Sequence, residues 1–339
     1  MSKLLNRVFF EEQALDYSAG KAMYNKLKAQ GHDIEFLKSH NRVTGIPGKT
    51  PRDSFFQGKN TLVVGVRKTL DFASCKPSAH FQLPLVTGCQ GICEYCYLNT
   101  QLGKKPYTRL YVNISDILAQ ARKYIQERQP EKTIFEAAAT SDPVPVEPYS
   151  GALAQAINFF ARQEYGYLKF VTKFPAIDSL LNLDHRSHTR IRYSLNTDRI
   201  IHDYEHRTPA LSNRIQALSR LLEHGYPGGV IIAPVILEGN WQEEYGHMMK
   251  KLAMALSDYR DIHFEVISHR FTRKAKSNIL EVFPQTTLPM GEDESRTYKF
   301  GQFGYGKLVY NKELLQEMKS FFTDAIGEHF PAAEIDYII

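Results

Sequence analysis

The sequence predicts an α/β protein in which parallel strands are covered by helices. From about residue 82 onward, six short apolar runs alternate with helical stretches, the pattern of successive strand–helix–strand units. Hydrophobic residues make up 43% of the 339-residue chain, enough for a sizeable core. No internal repeat or low-complexity linker breaks the succession.

The strands are expected at 82–87, 133–138, 167–173, 189–194, 229–235 and 262–267. Each is a short apolar run, too brief for a packed helix of ordinary length. Between them, 114–125, 152–162, 212–224 and 241–256 read as helices, and the link at 177–181 is the shortest. Six such units are fewer than the eight of a closed barrel. Periodicity leaves an open barrel and a doubly wound sheet both standing. Upstream, residues 1–81 read as an N-terminal cap with a helix at 19–30 and strands at 33–37 and 61–66. Downstream of 270 come an irregular basic segment, a Gly/aromatic stretch at 298–310 that reads as a β-hairpin, and a closing helix at 312–326. The regions are therefore 1–81, 82–268 and 269–339, integrated as one domain.

Bulk properties exclude several classes. The apolar stretch near the start is too short for a signal peptide, and no run approaches the length that crosses a bilayer. Four cysteines, three of them clustered, rule out a disulfide scaffold and fit a reducing cytoplasm. The formal charge of +5 is mildly basic and admits a polyanionic partner if the cations share a face.

The run TGCQGICEYCYL at 87–98 is the most informative segment. It holds Cys89, Cys93 and Cys96 at offsets of four and three. Three thiolates in so short a loop can wrap one face of a metal cluster. Iron–sulfur cubanes usually take four cysteine ligands. The other cysteine, Cys75, lies outside the motif, so one iron is left to bind something other than protein. The competing reading is zinc held by the same cysteines plus His80. Structural zinc favours paired Cys-x2-Cys ligands, which this triplet lacks.

Barrel active sites collect at the C-terminal ends of strands. That rule nominates Ser141 after the second strand, Lys173 after the third, Ser194 and Asn196 at the fourth, and Ala233 at the fifth. Serine and asparagine there can hydrogen-bond an amino-acid moiety or a ribose, and Lys173 can pair with a carboxylate. The same residue types also serve as ordinary turn and cap residues. Tyr95 and Tyr97 flank Cys96, where a phenol O–H would lie close to the cluster; packing is the other use of a tyrosine.

Cys-x3-Cys-x2-Cys with Tyr95 before the last cysteine resembles the signature of the radical S-adenosylmethionine enzymes. The resemblance implies a 4Fe–4S cluster on Cys89, Cys93 and Cys96. Its free iron chelates S-adenosylmethionine, whose reductive cleavage releases a 5′-deoxyadenosyl radical. It also implies a partial (β/α)6 TIM-type barrel with the cysteine loop after its first strand, which is where the loop stands here. The flanks narrow the match. The stretch 74–103, together with 135–147, 192–196 and the Gly/aromatic run near Tyr305, is similar to spore photoproduct lyase, and the similarity covers nearly the whole chain.

That family repairs 5-thyminyl-5,6-dihydrothymine, a methylene-bridged thymine dimer. By resemblance, the adenosyl radical takes hydrogen from C6 of the dihydrothymine, and the bridge breaks by β-scission. A cysteine thiol then quenches the thymine radical, and a tyrosine pair matching Tyr95 and Tyr97 relays hydrogen back to the cofactor. The family places its donor cysteine before Thr-Ser-Asp, where this chain has Ala139. Alanine offers no abstractable hydrogen, so lysis is expected to survive while hydrogen return is impaired. The position reads as an engineered Cys-to-Ala replacement.

Extrusion of the lesion from duplex DNA requires a surface for phosphates and a wedge. The expected contacts are Arg270, Arg273, Lys274 and Lys276, the hairpin residues Lys299, Tyr305 and Lys307, and Lys104 and Lys105 past the cysteine loop. The implied partners are double-stranded DNA carrying the dimer and a flavodoxin- or ferredoxin-like electron donor, with a monomeric enzyme, no membrane, and the spore-core cytoplasm as the setting. Two alternatives stand beside this reading: a radical enzyme acting on RNA or a peptide, and a zinc-stabilised nucleic-acid-binding protein without catalysis.

Overall fold

The structure is a computed structural model that describes residues 5–257, 259, 261–300 and 306–339. Two compact units divide the chain. The first comprises Met1–Gln90, Gln101–Thr172 and Ala176–Arg190; the second comprises Gly91–Thr100, Lys173–Pro175 and Ile191–Ile339.

The first unit holds a sheet of which the sequence reading foresaw two strands, at 33–37 and 61–66, but not their partners. Parallel strands Ile34–Leu37, Arg7–Glu11, Thr61–Gly65 and Thr108–Tyr111 lie side by side in that order, and the short Val86–Thr87 pairs antiparallel at the edge. Thr61–Gly65 is buried along its whole length, as a central parallel strand flanked on both faces must be. Helix Pro51–Lys59 starts where Thr50 accepts the Asp53 N–H at 3.1 Å, with proline in the first turn where no N–H partner is needed. The 1–81 region supplies three of the five strands of this sheet.

The same unit contains the start of the expected series. Ser74–Cys75 runs antiparallel beside Ala79–Leu83, which is parallel to Thr133–Ala137, which is parallel to Gly166–Thr172. The expected strand at 82–87 is corrected. It splits after Leu83, so that Ala79–Leu83 joins this series while Val86–Thr87 turns away into the five-stranded sheet. Leu83, Leu85 and Val86 are all buried, and an apolar run alone carries no sign of the turn between them. Phe135 anchors the packing, with its ring 5.2 Å from Phe160 and 6.3 Å from Phe72. Truncating so large a buried ring to alanine costs about 3–5 kcal/mol.

In the second unit, Thr189–Leu195, Gly228–Val235, Ile262–Ser268 and Glu334–Ile338 follow one another in parallel, in that order. Helices Leu211–Glu223, Trp241–Ala255 and Lys312–His329 intervene, with apolar faces built on Leu218, Met249 and Phe322. Inside the unit, Arg192 meets Glu265 at 2.6 Å, and Tyr337 donates to the same carboxylate at 2.7 Å. The last strand, Glu334–Ile338, went unforeseen. The segment after Arg270 is also corrected: Arg273–Val282 is a helix capped by Thr272, whose side chain accepts the Ala275 N–H at 3.0 Å. Arg296–Phe300 and Gly306–Tyr310 pair antiparallel as expected of a hairpin. Tyr305 lies outside the described residues. The succession of parallel strands and helices is α/β, as expected. No described helix is long and apolar enough to cross a membrane.

Candidate active site

The cysteine loop leaves the first unit at Gln90 and enters the second at Gly91. On the first side its root is Gly88, with φ of +78°; an added Cβ there would stand 2.2 Å from the Tyr107 carbonyl oxygen. Only glycine fits that approach. The Gly88 N–H donates to the Thr140 carbonyl at 2.9 Å, and Ser141 Oγ donates to the Gly88 carbonyl. Lys59, a buried lysine that the sequence reading missed, donates to the Cys89 carbonyl at 2.9 Å.

The turn that carries Ala139 is itself constrained. Ala138 has φ of +52°, a left-handed conformation rare for a residue with a Cβ. Its N–H donates to Leu83 O at 2.9 Å and its carbonyl accepts from Ser141 N at 2.8 Å. Asp142 Oδ1 then accepts from Val144 N at 3.2 Å and Thr172 Oγ1 at 2.8 Å. Ala139 is half-buried. Ser141, expected to face a cofactor, spends its hydroxyl proton on the root of the cysteine loop.

On the second side, Ile92–Cys93 pairs antiparallel with Glu205–His206. The Glu94 N–H donates to Tyr204 O at 2.9 Å, and the Glu94 carboxylate takes His206 Nε2 at 2.8 Å and Thr286 Oγ1. A turn closes the motif, with Cys96 N donating to Cys93 O at 3.2 Å and Asn99 Nδ2 donating to the same carbonyl at 2.9 Å.

Next to this turn is an ionic knot absent from the sequence reading. Glu205 is fully buried and receives Lys173 Nζ at 2.7 Å and Arg214 at 2.6 Å. Tyr95 donates its hydroxyl to the same carboxylate and accepts from Lys173 at 3.0 Å. Burial alone would raise the Glu205 carboxyl; Lys173, then Arg214, overcome that and hold it at about 2. Burial, then the Glu205 charge, pushes the Tyr95 phenol well above its ordinary range, so it stays a neutral donor. Arg214 is in turn fixed by the Ser194 carbonyl at 3.0 Å and Thr208 at 2.8 Å. Tyr97, by contrast, is 54% exposed.

The other nominated strand ends separate by geometry. Asn196 is fully buried, donating to Pro234 O at 2.9 Å and accepting from Thr197 N at 3.0 Å and Tyr245 at 2.9 Å. It braces two strand ends. Ser194 is buried and Ala233 half-buried. Lys173 does pair with a carboxylate, but with Glu205 of the protein itself.

Cys89, Cys93 and Cys96 are free thiols, with Cys93 buried and the other two half-buried. Soft thiolates on a short, braced loop fit an iron–sulfur cluster. They do not fit zinc completed by His80. That ring accepts the Ile134 N–H on Nδ1 at 3.0 Å, which ties it to the start of a neighbouring strand, whereas Cys89 follows the strand's other end.

The expected DNA contacts also divide. Arg273 and Lys276 both hold Glu292, at 2.9 and 3.4 Å, so one carboxylate is shared between two cations. Lys274 and Arg270 are exposed. Lys105 donates to the Ile46 carbonyl and is tied down, while Lys104 is exposed on its turn. Lys299 and Lys307 stand opposite each other across the hairpin.

The family model described as spore photoproduct lyase matches residues 4–339. The chain is 52% identical over 339 residues, all of both chains, to the spore photoproduct lyase of Clostridium acetobutylicum. It is 44% identical over 332 residues, 97% of each chain, to that of Bacillus subtilis. Among solved structures, it is similar to a spore photoproduct lyase double mutant with bound AdoMet and dinucleoside spore photoproduct, with a TM-score of 0.96, 44% identity and 99% of each chain covered. A second spore photoproduct lyase structure, complexed with dinucleoside spore photoproduct, gives a TM-score of 0.96 at 43% identity, again over 99% of each chain.

Proposed function

The chain belongs to the spore photoproduct lyase family, and from that premise we infer how its own residues serve the repair. It is a radical S-adenosylmethionine lyase that reverses the spore photoproduct, with a 4Fe–4S cluster and S-adenosylmethionine as its cofactors. The observation that carries the reading is the braced cysteine loop within a match that spans nearly the whole chain. Cys89, Cys93 and Cys96 hold the cluster. When bound, the cluster and S-adenosylmethionine together supply a carbon-centred radical able to take hydrogen from the lesion.

The protein supplies position. Glu205, with Lys173 and Arg214, fixes Tyr95 and through it the turn that bears Cys93 and Cys96. Tyr95 is therefore the anchored member of the tyrosine pair, and Tyr97, exposed beside the last cysteine, is the one able to pass a hydrogen atom. Ser141 and Lys59 hold the root of the loop at Gly88 and Cys89. Ser194 and Ala233 border the cofactor at the strand ends. The partner is double-stranded DNA carrying the dimer, gripped through Lys104, Arg270, Lys274, Lys299 and Lys307. A flavodoxin- or ferredoxin-type protein delivers the electron to a monomeric enzyme in the spore core. Ala139 leaves the turn before Thr140 without a thiol, so hydrogen return there is impaired.

The test is anaerobic incubation of the cluster-loaded protein with reductant, S-adenosylmethionine and a short DNA carrying the lesion. Loss of the lesion with release of thymine products is expected. Cleavage of S-adenosylmethionine with a persistent lesion would leave the radical machinery standing and remove the substrate.

A further inference from the structure

In the second unit, the hairpin register sets Tyr298 opposite Leu308 and Lys299 opposite Lys307. Alternate strand residues face opposite sides. Tyr298 and Phe300, 47% and 80% exposed, therefore occupy one face, and the two lysines occupy the other. Like charges directly opposite in a sheet destabilise it. Lys299, of that face, also lines a cleft of about 210 Å³. Lys299, Lys312 and Lys319 line this cleft together with Leu315, Gln316, Met318, Ile338 and Ile339. Lys312 and Lys319 lie seven residues apart, two turns along one stripe of the helix Lys312–His329.

No aspartate or glutamate side chain lines the cleft. Among the described residues, Lys299, Lys312 and Lys319 have no ion-pair partner, whereas Arg273 and Lys276 share Glu292. Three exposed ammonium groups converge on one cleft, and an anionic occupant gains attraction from all of them. An apolar floor beneath a cationic rim matches the two sides of a sugar–phosphate backbone, with deoxyribose against carbon and phosphate against nitrogen.

We propose that this cleft behind the hairpin seats the backbone phosphates of a DNA strand flanking the lesion. The inference rests on duplex DNA being the substrate. Lys312 and Lys319 then add affinity for DNA and play no part in the chemistry at the dimer.

The test uses the cluster-loaded K312Q/K319Q protein and a fluorescein-labelled duplex, with binding read by anisotropy across a potassium chloride series. Each phosphate contact contributes a slope of about 0.9 in log K against log salt, so the variant's slope should be shallower by about 2. The K312R/K319R protein should regain the original slope. Repair of dinucleoside spore photoproduct, which has no flanking phosphates, should match wild type in both. An unchanged slope in K312Q/K319Q overturns the proposal, as does an equal loss in K312R/K319R, which would mean lost packing and not lost charge. If wild type itself fails to repair the dinucleoside, the substrate assignment falls, and the salt slopes still decide the cleft.

Discussion

Replacing Glu205 with glutamine removes one charge and almost no volume from the knot that holds Tyr95. The Glu205 carboxyl is held at about 2 against an ordinary 4.5. At about 1.36 kcal/mol for each pKa unit, that gap is worth about 3 kcal/mol to the folded state. Glu205 and Arg214 have no side-chain exposure, and Lys173 has 16%, so solvent screens the group little. The sign follows from the depressed folded-state value. The contribution is fully present above about 4.5, falls as pH drops toward 2, and is roughly halved near pH 3. Glu205→Gln also leaves Lys173 and Arg214 beside each other without their shared anion, a change that costs about 3–5 kcal/mol when a buried partner is removed. Urea denaturation of the cluster-loaded protein at neutral pH should show a midpoint lowered by roughly 1 M. The difference from wild type should narrow as pH falls below 4.5. An unchanged midpoint, or a difference that is the same at neutral pH and at pH 3, would refute the reasoning.

The tyrosine pair should separate by readout. Tyr97→Phe, at an exposed position, should leave stability within about 0.5 kcal/mol while raising the S-adenosylmethionine consumed per lesion repaired. Tyr95→Phe should instead lower the unfolding free energy by about 1–3 kcal/mol, since it strips a hydrogen bond from buried Glu205; equal stability of the two variants would contradict the assignment. At the hydrogen-return step, Ala139→Cys should raise the share of intact thymine among the products, measured by mass spectrometry. Cys75 is the one thiol outside the cluster motif, and it sits on the Ser74–Cys75 strand beside Ala79–Leu83. Cys75→Ser should lower whatever clean yield the Ala139 protein retains if that thiol is the substitute donor, and an unchanged product profile would exclude it.

What the sequence made legible was local and periodic. Strand 133–138 and helix 241–256 could be found because their apolar residues recur at the spacing the element needs. The cysteine loop was legible because three ligands fall within a few positions of each other. The split of 82–87 was not, because Leu83, Leu85 and Val86 are equally apolar whichever sheet receives them. Strands Arg7–Glu11 and Thr108–Tyr111 were missed because each is short and the first runs directly into a tight helical turn. Glu205 and Arg214 escaped for a different reason. A buried ion pair depends on residues far apart in the chain, and in sequence its members look like any exposed acid and base. The bonds that Asn196 makes to Pro234 and Tyr245 were equally invisible, because those partners are distant in the chain.

The most direct test of the central claim uses spore photoproduct deuterated at C6 of the dihydrothymine ring. The cluster-loaded enzyme would be given reductant and unlabelled S-adenosylmethionine, and the adenosyl product would be examined by mass spectrometry. Deuterium in 5′-deoxyadenosine, together with loss of the lesion, is the result expected of repair by hydrogen abstraction from C6. Loss of the lesion with unlabelled 5′-deoxyadenosine would contradict it, because the bridge would then be breaking without that hydrogen having been taken.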